Sequence, residues 1–222
     1  MAFVFISGAT GFMGRSLAVE LLRRGHRVRG LARPGSEKRL APGCEPVIGD
    51  PLSAASYRDA VAGAGTFAHL VGVSHPNPSK AAQFRAIDLA SAKEAVSAAR
   101  NAGVGQFLYV SVAHPAPVMR EYIAARTEAE DAIYASGLDA TILRPWYVLG
   151  PGHRWPYVLL PIYRLLERLP ATRNSARRLG LVTRAQLVCA LVDAVEHPAR
   201  GVRILEVPDI KAAALSPRSH HP

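Results

Sequence analysis

Residues 8–14 read Gly8-Ala9-Thr10-Gly11-Phe12-Met13-Gly14, and the place of this run constrains the fold more than any other feature of the chain. It follows Ala2 to Ser7, a continuously apolar stretch of the kind that forms a strand covered on both faces. It precedes Arg15 to Arg24, where Leu17, Leu21 and Leu22 recur at helical spacing and Gly25 ends the pattern. A buried strand that turns sharply into a helix points the first amides of that helix beyond the end of the strand. Those amides lack partners within the helix and sit at the positive end of its dipole, so they attract an anion, and glycine lets the chain approach a diphosphate closely. A Walker-type phosphate loop is excluded, because Arg15 rather than lysine follows Gly14 and the four-residue glycine spacing is absent. The competing view, three glycines that serve only close packing of strand on helix, fits the strand-turn-helix context less well.

The same alternation continues along the chain. Strands are predicted at Arg27–Ala32, Pro46–Ile48, Thr66–Val71, Gln106–Val110 and Ala140–Leu143, and helices at Ser53–Ala62, Lys80–Arg100 and Pro117–Ser136. The helices between strands are the crossovers that parallel pairing requires. The pattern predicts an α/β, Rossmann-type doubly wound parallel sheet with helices on both faces and a small C-terminal substrate-side region. After Arg144 the alternation weakens: Trp146–Arg154 reads as a loop, Tyr157–Leu169 and Arg184–Glu196 as helices, and Val202–Val207 as an edge strand. With 222 residues and 49% hydrophobic composition, one core is expected. We assign a single domain to residues 1–210, with 145–182 as a substrate-side insertion and 211–222 as a disordered tail.

The formal net charge of +10 would suit nucleic acid or an anionic membrane, but its distribution matters more. Met1 to Leu143 holds 15 Lys/Arg against 12 Asp/Glu, and the remainder holds 12 against 5. The basic stretch 164–184, with Arg164, Arg168, Arg173, Arg177, Arg178 and Arg184, could touch an anionic membrane surface peripherally or pack on its own sheet with arginines in water. No helix-turn-helix, RNP-type or zinc signature supports specific nucleic-acid binding. Cys44 and Cys189 stand alone, so neither a disulfide scaffold nor a metal site is expected, and His114 and His153 read as loop residues. No apolar run approaches the roughly 20 residues of a spanning helix, and Met1 to Ile6 lacks a basic leader, so a soluble, cytoplasmic protein is expected.

Further landmarks follow the glycine turn at fixed places: Gly49-Asp50, His69-Leu70-Val71-Gly72, Ile87-Asp88 before a helix, Phe107-Leu108-Tyr109-Val110-Ser111, and Leu143-Arg144-Pro145. In these the chain resembles the atypical and extended short-chain dehydrogenase/reductases from Ala2 to about Val207. The nearest subgroups are the NmrA-like NAD(P)H-binding proteins and relatives of the 39 kDa accessory subunit of respiratory complex I. The resemblance implies an NAD(P) site built from Gly8, Thr10, Gly11, Phe12, Met13, Gly14, Leu70, Val71 and Gly72, with Asp50 near the adenine and Pro145, Tyr147 and Val148 along the nicotinamide. Asp50 suits a helix N-cap equally well. NAD-selective sites usually place an acid about 20 residues beyond the turn to bind the ribose hydroxyls. Here Arg33 stands there, and a guanidinium pairs instead with a 2′-phosphate, so NADP(H) is favoured over NAD(H), with Lys38 and Arg15 as further cations. The alternative is that Arg33 is only a solvated strand end.

The family's reactive unit is a strand-end Ser with a Tyr and a Lys spaced YxxxK on a helix, where both side chains share one face. The residues at these places are Ser111, Tyr122 and Arg126, so the lysine is missing. Arginine keeps the charge and can stabilise a tyrosinate, but it stays protonated and is bulkier. Two readings stay open: a working Tyr122–Arg126 pair, or a packed aromatic beside Arg126, Glu128 and Glu130 on a solvated face. The aromatics Trp146, Tyr147, Trp155 and Tyr157 suit an apolar, quinone-like or lipid-like small molecule, and a core or dimer contact as well. The expectation is an oxidoreductase, monomeric or homodimeric. A non-catalytic redox sensor or accessory protein is the alternative, and an epimerase comes third.

Overall fold

The computed structural model describes residues 1–74, 76–116, 118–149 and 179–215. The predicted helix Tyr157–Leu169, the aromatics Trp155 and Tyr157, His153 and all of the basic stretch before residue 179 lie outside the described residues.

The glycine turn joins β1 (Phe3–Ser7) to α1 (Phe12–Arg23). Strand β1 is almost wholly buried, as a central strand flanked by two others must be, and α1 buries Leu17 and Leu21 completely. Each such side chain contributes about 1.5–3 kcal/mol on leaving water. The chain continues through β2 (Arg27–Ala32), β3 (Glu45–Ile48), α2 (Arg58–Val61) and β4 (Thr66–His69). Next come α3 (Ala81–Gln83), a π-helical stretch Phe84–Leu89 and α4 (Ala90–Asn101), which run on as one rod. Strand β5 (Gln106–Val110), α5 (Arg120–Ser136) and β6 (Ala140–Arg144) follow. Beyond them lie β7 (Tyr147–Leu149), β8 (Leu181–Thr183), α6 (Arg184–Glu196), β9 (Val202–Glu206) and α7 (Val207–Ala213).

Seven strands form one sheet in the order β3-β2-β1-β4-β5-β6-β9, and every neighbouring pair is parallel. The chain winds outward from β1 in one direction and from β4 in the other, which opens a crevice at the C-terminal ends of β1 and β4. Two cores flank the sheet. One joins α1, α6 and α7 through Leu17, Leu21, Leu187, Leu191 and Ile210; the other joins α4 and α5 through Phe67, Phe107, Val96 and Ile133. The sheet and both helical layers match the architecture expected from the alternation.

Several local expectations change. The stretch 146–154 was expected to be loop, yet Tyr147 to Leu149 pair in parallel with Leu181 to Thr183, a partner too distant for local pattern to reveal. The helix expected over Ser53–Ala62 breaks into a 3-10 turn, Ala54–Ser56, and the short α2, and Ser53 makes no side-chain cap. The helix expected from Pro117 starts at Arg120, after Met119 in a left-handed conformation. Lys211 to Ala213, the first residues of the expected tail, belong to α7, whose Ile210 is fully buried.

Candidate active site

At the end of β1, Gly8 has a φ of +82°, a left-handed conformation that side chains disfavour. A Cβ on it would stand 2.7 Å from the carbonyl carbon of Leu70 and 2.9 Å from the amide nitrogen of Val71. Leu70 and Val71, just past β4, therefore wall one side of the turn. Gly14, in the first turn of α1, lies against the Gly8 carbonyl so closely that any side chain would collide. Gly11 donates to that carbonyl at 3.0 Å and starts α1, with Thr10 before it, Phe12 exposed and Met13 half-buried. Helix α1 has neither a side-chain cap nor an acid in its first turn, whereas α6 and α7 each begin with a capping box. The first helix thus leaves its dipole uncompensated by its own side chains, in a cradle that only glycine permits. Such a cradle fits a diphosphate.

Arg15, Arg39 and Arg184 line a cleft that opens at Thr10, Gly11 and Phe12 of this cradle. Arg33 is exposed at the end of β2, and Arg15, Arg33, Lys38, Arg39 and Arg184 make no ion pair among the described residues. On the same strand β2, by contrast, Arg27 and Arg29 both reach Glu45, at 2.6 and 3.3 Å. Asp50 is exposed beyond β3, and its Oδ1 accepts the Leu52 amide at 2.9 Å, so it stabilises its own turn and caps no helix. Pro145 is buried, and its carbonyl accepts the Ala113 amide; Tyr147 and Val148 lie half-buried on β7.

Helix α5 carries Tyr122, Arg126 and Glu130 at i, i+4 and i+8, on one side of the helix with the apolar row Ala125, Ala129 and Ile133 beside them. The expectation of a solvated face holds only for Glu128, which meets Arg85 and Lys93 at 3.0 and 2.8 Å. Arg126 is 6% exposed and Glu130 is 1% exposed. The Arg126 guanidinium donates to Asp88 Oδ1 at 2.5 Å, to the Val110 carbonyl at 2.9 Å and to the Tyr109 hydroxyl at 3.4 Å. It also lies 5.2 Å from the centre of the Tyr122 ring, so it faces the ring. The other side of Tyr122 meets Phe84 edge-on at 5.0 Å, and its hydroxyl has no hydrogen bond among the described residues. Gly72 packs against Arg126 and Asp88 where a side chain would clash with the guanidinium.

Asp88 is buried within the π-helical stretch; its second oxygen accepts the Val73 amide at 3.0 Å. Burial pushes the Asp88 carboxyl above the ordinary aspartate range, against the pull of Arg126. Burial opposes charge on Arg126 too, but Tyr109, Tyr122 and Asp88 together raise its pKa, so the guanidinium stays protonated. Close by, His69 is held between Ser7 at 2.7 Å and Ser91 at 3.4 Å, and its ring stacks on Tyr109 and Phe107. Burial, and then the charge of Arg126, lower its pKa to about 3, so it is neutral.

Ser111, at the end of β5, donates to Glu130 Oε1 at 2.5 Å. Glu130 also accepts Arg144, whose guanidinium reaches Glu206 at 3.2 Å. Sequence reasoning did not assign Asp88 and Glu130 their roles. The i+4 spacing of Arg126 and Glu130 could have pointed to Glu130, whereas the pairing of Asp88 with Arg126 spans 38 residues and leaves no local trace.

A parallel sheet with its crevice beside a glycine-cradled helix start defines a Rossmann-type nucleotide-binding protein. A sequence profile of the NAD(P)H-binding family matches residues 8–198, and the chain belongs to that family. It is 29% identical over 212 residues to a ceramide reductase of Caulobacter vibrioides, covering 94% of this chain and 65% of the relative. It is 24% identical over 168 residues to a 4-hydroxy-2-methyl-3-oxo-4-farnesyl-3,4-dihydroquinoline-1-oxide ketoreductase of Stigmatella aurantiaca, covering 66% and 50%. The chain therefore spans less than two thirds of the length of these curated relatives. Among solved structures it is similar to WbmH of Bordetella bronchiseptica in complex with NAD+, with a TM-score of 0.68 and 22% identity over 93% of this chain and 75% of that one. These structural likenesses establish the fold. Among the described residues, no helix is long and apolar enough to cross a membrane, and no group of His, Cys, Asp or Glu could hold a metal ion.

Proposed function

We propose that the protein is an NADP(H)-preferring oxidoreductase that acts on a carbonyl-type or quinone-like apolar substrate, with Tyr122 as proton donor. The observation that carries this reading is the uncapped start of α1, set in its glycine cradle beside Arg15, Arg39 and Arg184, which form no ion pair among the described residues. An acid at the place of Arg33 would serve NAD(H); a guanidinium there serves a 2′-phosphate. A bound dinucleotide supplies hydride. The chain supplies the rest: backbone amides and Gly8, Thr10, Gly11, Phe12, Met13 and Gly14 hold the diphosphate, Asp50 flanks the adenine, Leu70 and Val71 wall the turn, and Gly72 lies against Arg126 at the Tyr122 corner. Pro145, Tyr147 and Val148 border the substrate side. The Tyr122 hydroxyl gives its proton to the substrate oxygen, and Arg126 behind the ring favours the tyrosinate that results. Ser111 serves as the second hydroxyl of the site. The reductase names of the two curated relatives, one with a lipid and one with a prenylated quinoline, support an apolar carbonyl substrate.

One observation favours a second reading, a non-catalytic NAD(P)H sensor or accessory protein: Arg126 is engaged by Asp88, and Ser111 by Glu130. The two readings separate in one experiment. NADPH and NADH consumption is followed with long-chain ketones and quinones, for wild type and Tyr122→Phe. Catalysis predicts wild-type turnover that falls by about 10²-fold or more in the variant, with unchanged cofactor affinity. Tight cofactor binding without wild-type turnover supports the sensor, and equal rates in both proteins remove Tyr122 from the chemistry. We also propose one domain over residues 1–210, with residues 145–182 on the substrate side.

A further inference from the structure

We propose that a cleft beside α1 receives the 2′-phosphate of NADP(H), and that Arg39 and Arg184, which line it, determine cofactor choice. The inference rests on the dinucleotide reading given above and assigns its selectivity to residues from two other parts of the fold.

The cleft has a volume of about 750 Å³. It opens at Thr10, Gly11 and Phe12, the residues of the diphosphate cradle, so a ligand held in that cradle lies at its mouth. Its walls carry three arginines from three separate places: Arg15 on α1, Arg39 after β2 and Arg184 at the start of α6. Arg33 and Lys38 do not line it, although the sequence points to them first.

Three features make these arginines a phosphate site rather than ordinary surface charge. None of the three forms an ion pair among the described residues, whereas Arg23, Arg24, Arg27, Arg29, Arg85, Arg126 and Arg144 all do. The acid on the cleft wall, Glu20, is already taken by Arg23 at 2.7 Å and Arg24 at 3.0 Å, and these bonds hold its pKa to about 2. Its negative charge is thus matched by two guanidiniums outside the set of three. Finally, the Arg184 guanidinium lies 5.1 Å from the centre of the Phe12 ring. A guanidinium on an aromatic face keeps its in-plane N–H groups available, so Arg184 is held in place with its donors unspent. Three like charges converging on one cavity repel one another, and a dianion with three acceptor oxygens relieves that repulsion and takes several charge-assisted hydrogen bonds.

The test is calorimetric titration of the purified full chain with 2′,5′-ADP and with 5′-ADP, which differ only in the phosphate at issue, followed by NADPH and NADH. Wild type is expected to prefer 2′,5′-ADP. Arg39→Ala and Arg184→Met, the latter retaining apolar contact with Phe12, are each expected to weaken 2′,5′-ADP about tenfold, one charge-assisted contact, and leave 5′-ADP unchanged. If wild type discriminates and both variants keep the full preference, the cleft assignment is overturned and Arg33 carries selection. An equal loss of both ligands in Arg184→Met overturns the role of Arg184 and places it on the diphosphate. A wild type that binds both ligands alike instead refutes the NADP(H) reading itself. Unchanged far-ultraviolet circular dichroism in the variants excludes misfolding as the cause of any loss.

Discussion

Two groups of arginines stand at the same edge of the sheet and are treated in opposite ways. Arg126 on α5 and Arg144 at the end of β6 are paired with carboxylates in the protein; Arg15, Arg33, Arg39 and Arg184 form no ion pair among the described residues. A buried charge must find its partner inside the protein, because desolvation is costly, and a partner so close fixes both side chains. An exposed charge without a partner costs the fold little and remains available to a ligand. The first group is fixed within the crevice, and the second, on the function proposed above, meets an anion.

The sharpest way to break this comparison is acid, applied to His69 in the buried group. Its pKa is lowered to about 3 by burial, so between pH 3 and 6.5 the unfolded chain binds a proton that the folded chain refuses. The stability tied to neutral His69 is therefore complete above pH 6.5 and lost as the pH falls toward 3, on the order of 4–5 kcal/mol. Urea unfolding of wild type and His69→Asn across that window checks it; parallel curves for the two proteins would contradict it. Next in size, Asp88→Ala leaves the Arg126 charge buried without its carboxylate and is expected to cost about 3–5 kcal/mol in the same assay, against which a loss below about 1 kcal/mol would count. The smallest effect sharpens the contrast. Arg15→Ala and Arg33→Ala are expected to change unfolding free energy by less than about 0.5 kcal/mol, as exposed substitutions do, even where they weaken binding of a phosphorylated nucleotide. A large loss of stability in either would mean that the outer arginines hold the fold as well.

Of the outer group the sequence singles out Arg15 and Arg33 as cations beyond the glycine turn, whereas it does not show the partners of the buried group. Glycine spacing after an apolar strand identifies the cradle because it depends on a few consecutive residues, and Arg33 follows from its distance to that turn. Arg39 and Arg184 come together only when α6 is laid beside α1, which no local pattern encodes. In the buried group, YxxxR on α5 exposed the Tyr122–Arg126 pair, yet nothing near Arg126 in the chain announces Asp88. Asp88 is buried within the π-helical stretch, and six residues are too few to show a period in the sequence. The strand Tyr147–Leu149 escaped notice for a similar reason: three residues are too few to show alternation, and their partner lies beyond 30 intervening positions.

The π-helical stretch also limits how the gene can vary in length. Each residue of an α-helix advances the azimuth by about 100°, so deletion of one residue within Phe84–Leu89 would swing everything after it around the rod. Ile87 or Leu89 would then confront the guanidinium now met by Asp88. Insertions and deletions are correspondingly better tolerated in the exposed link ahead of the rod, where no azimuth is set.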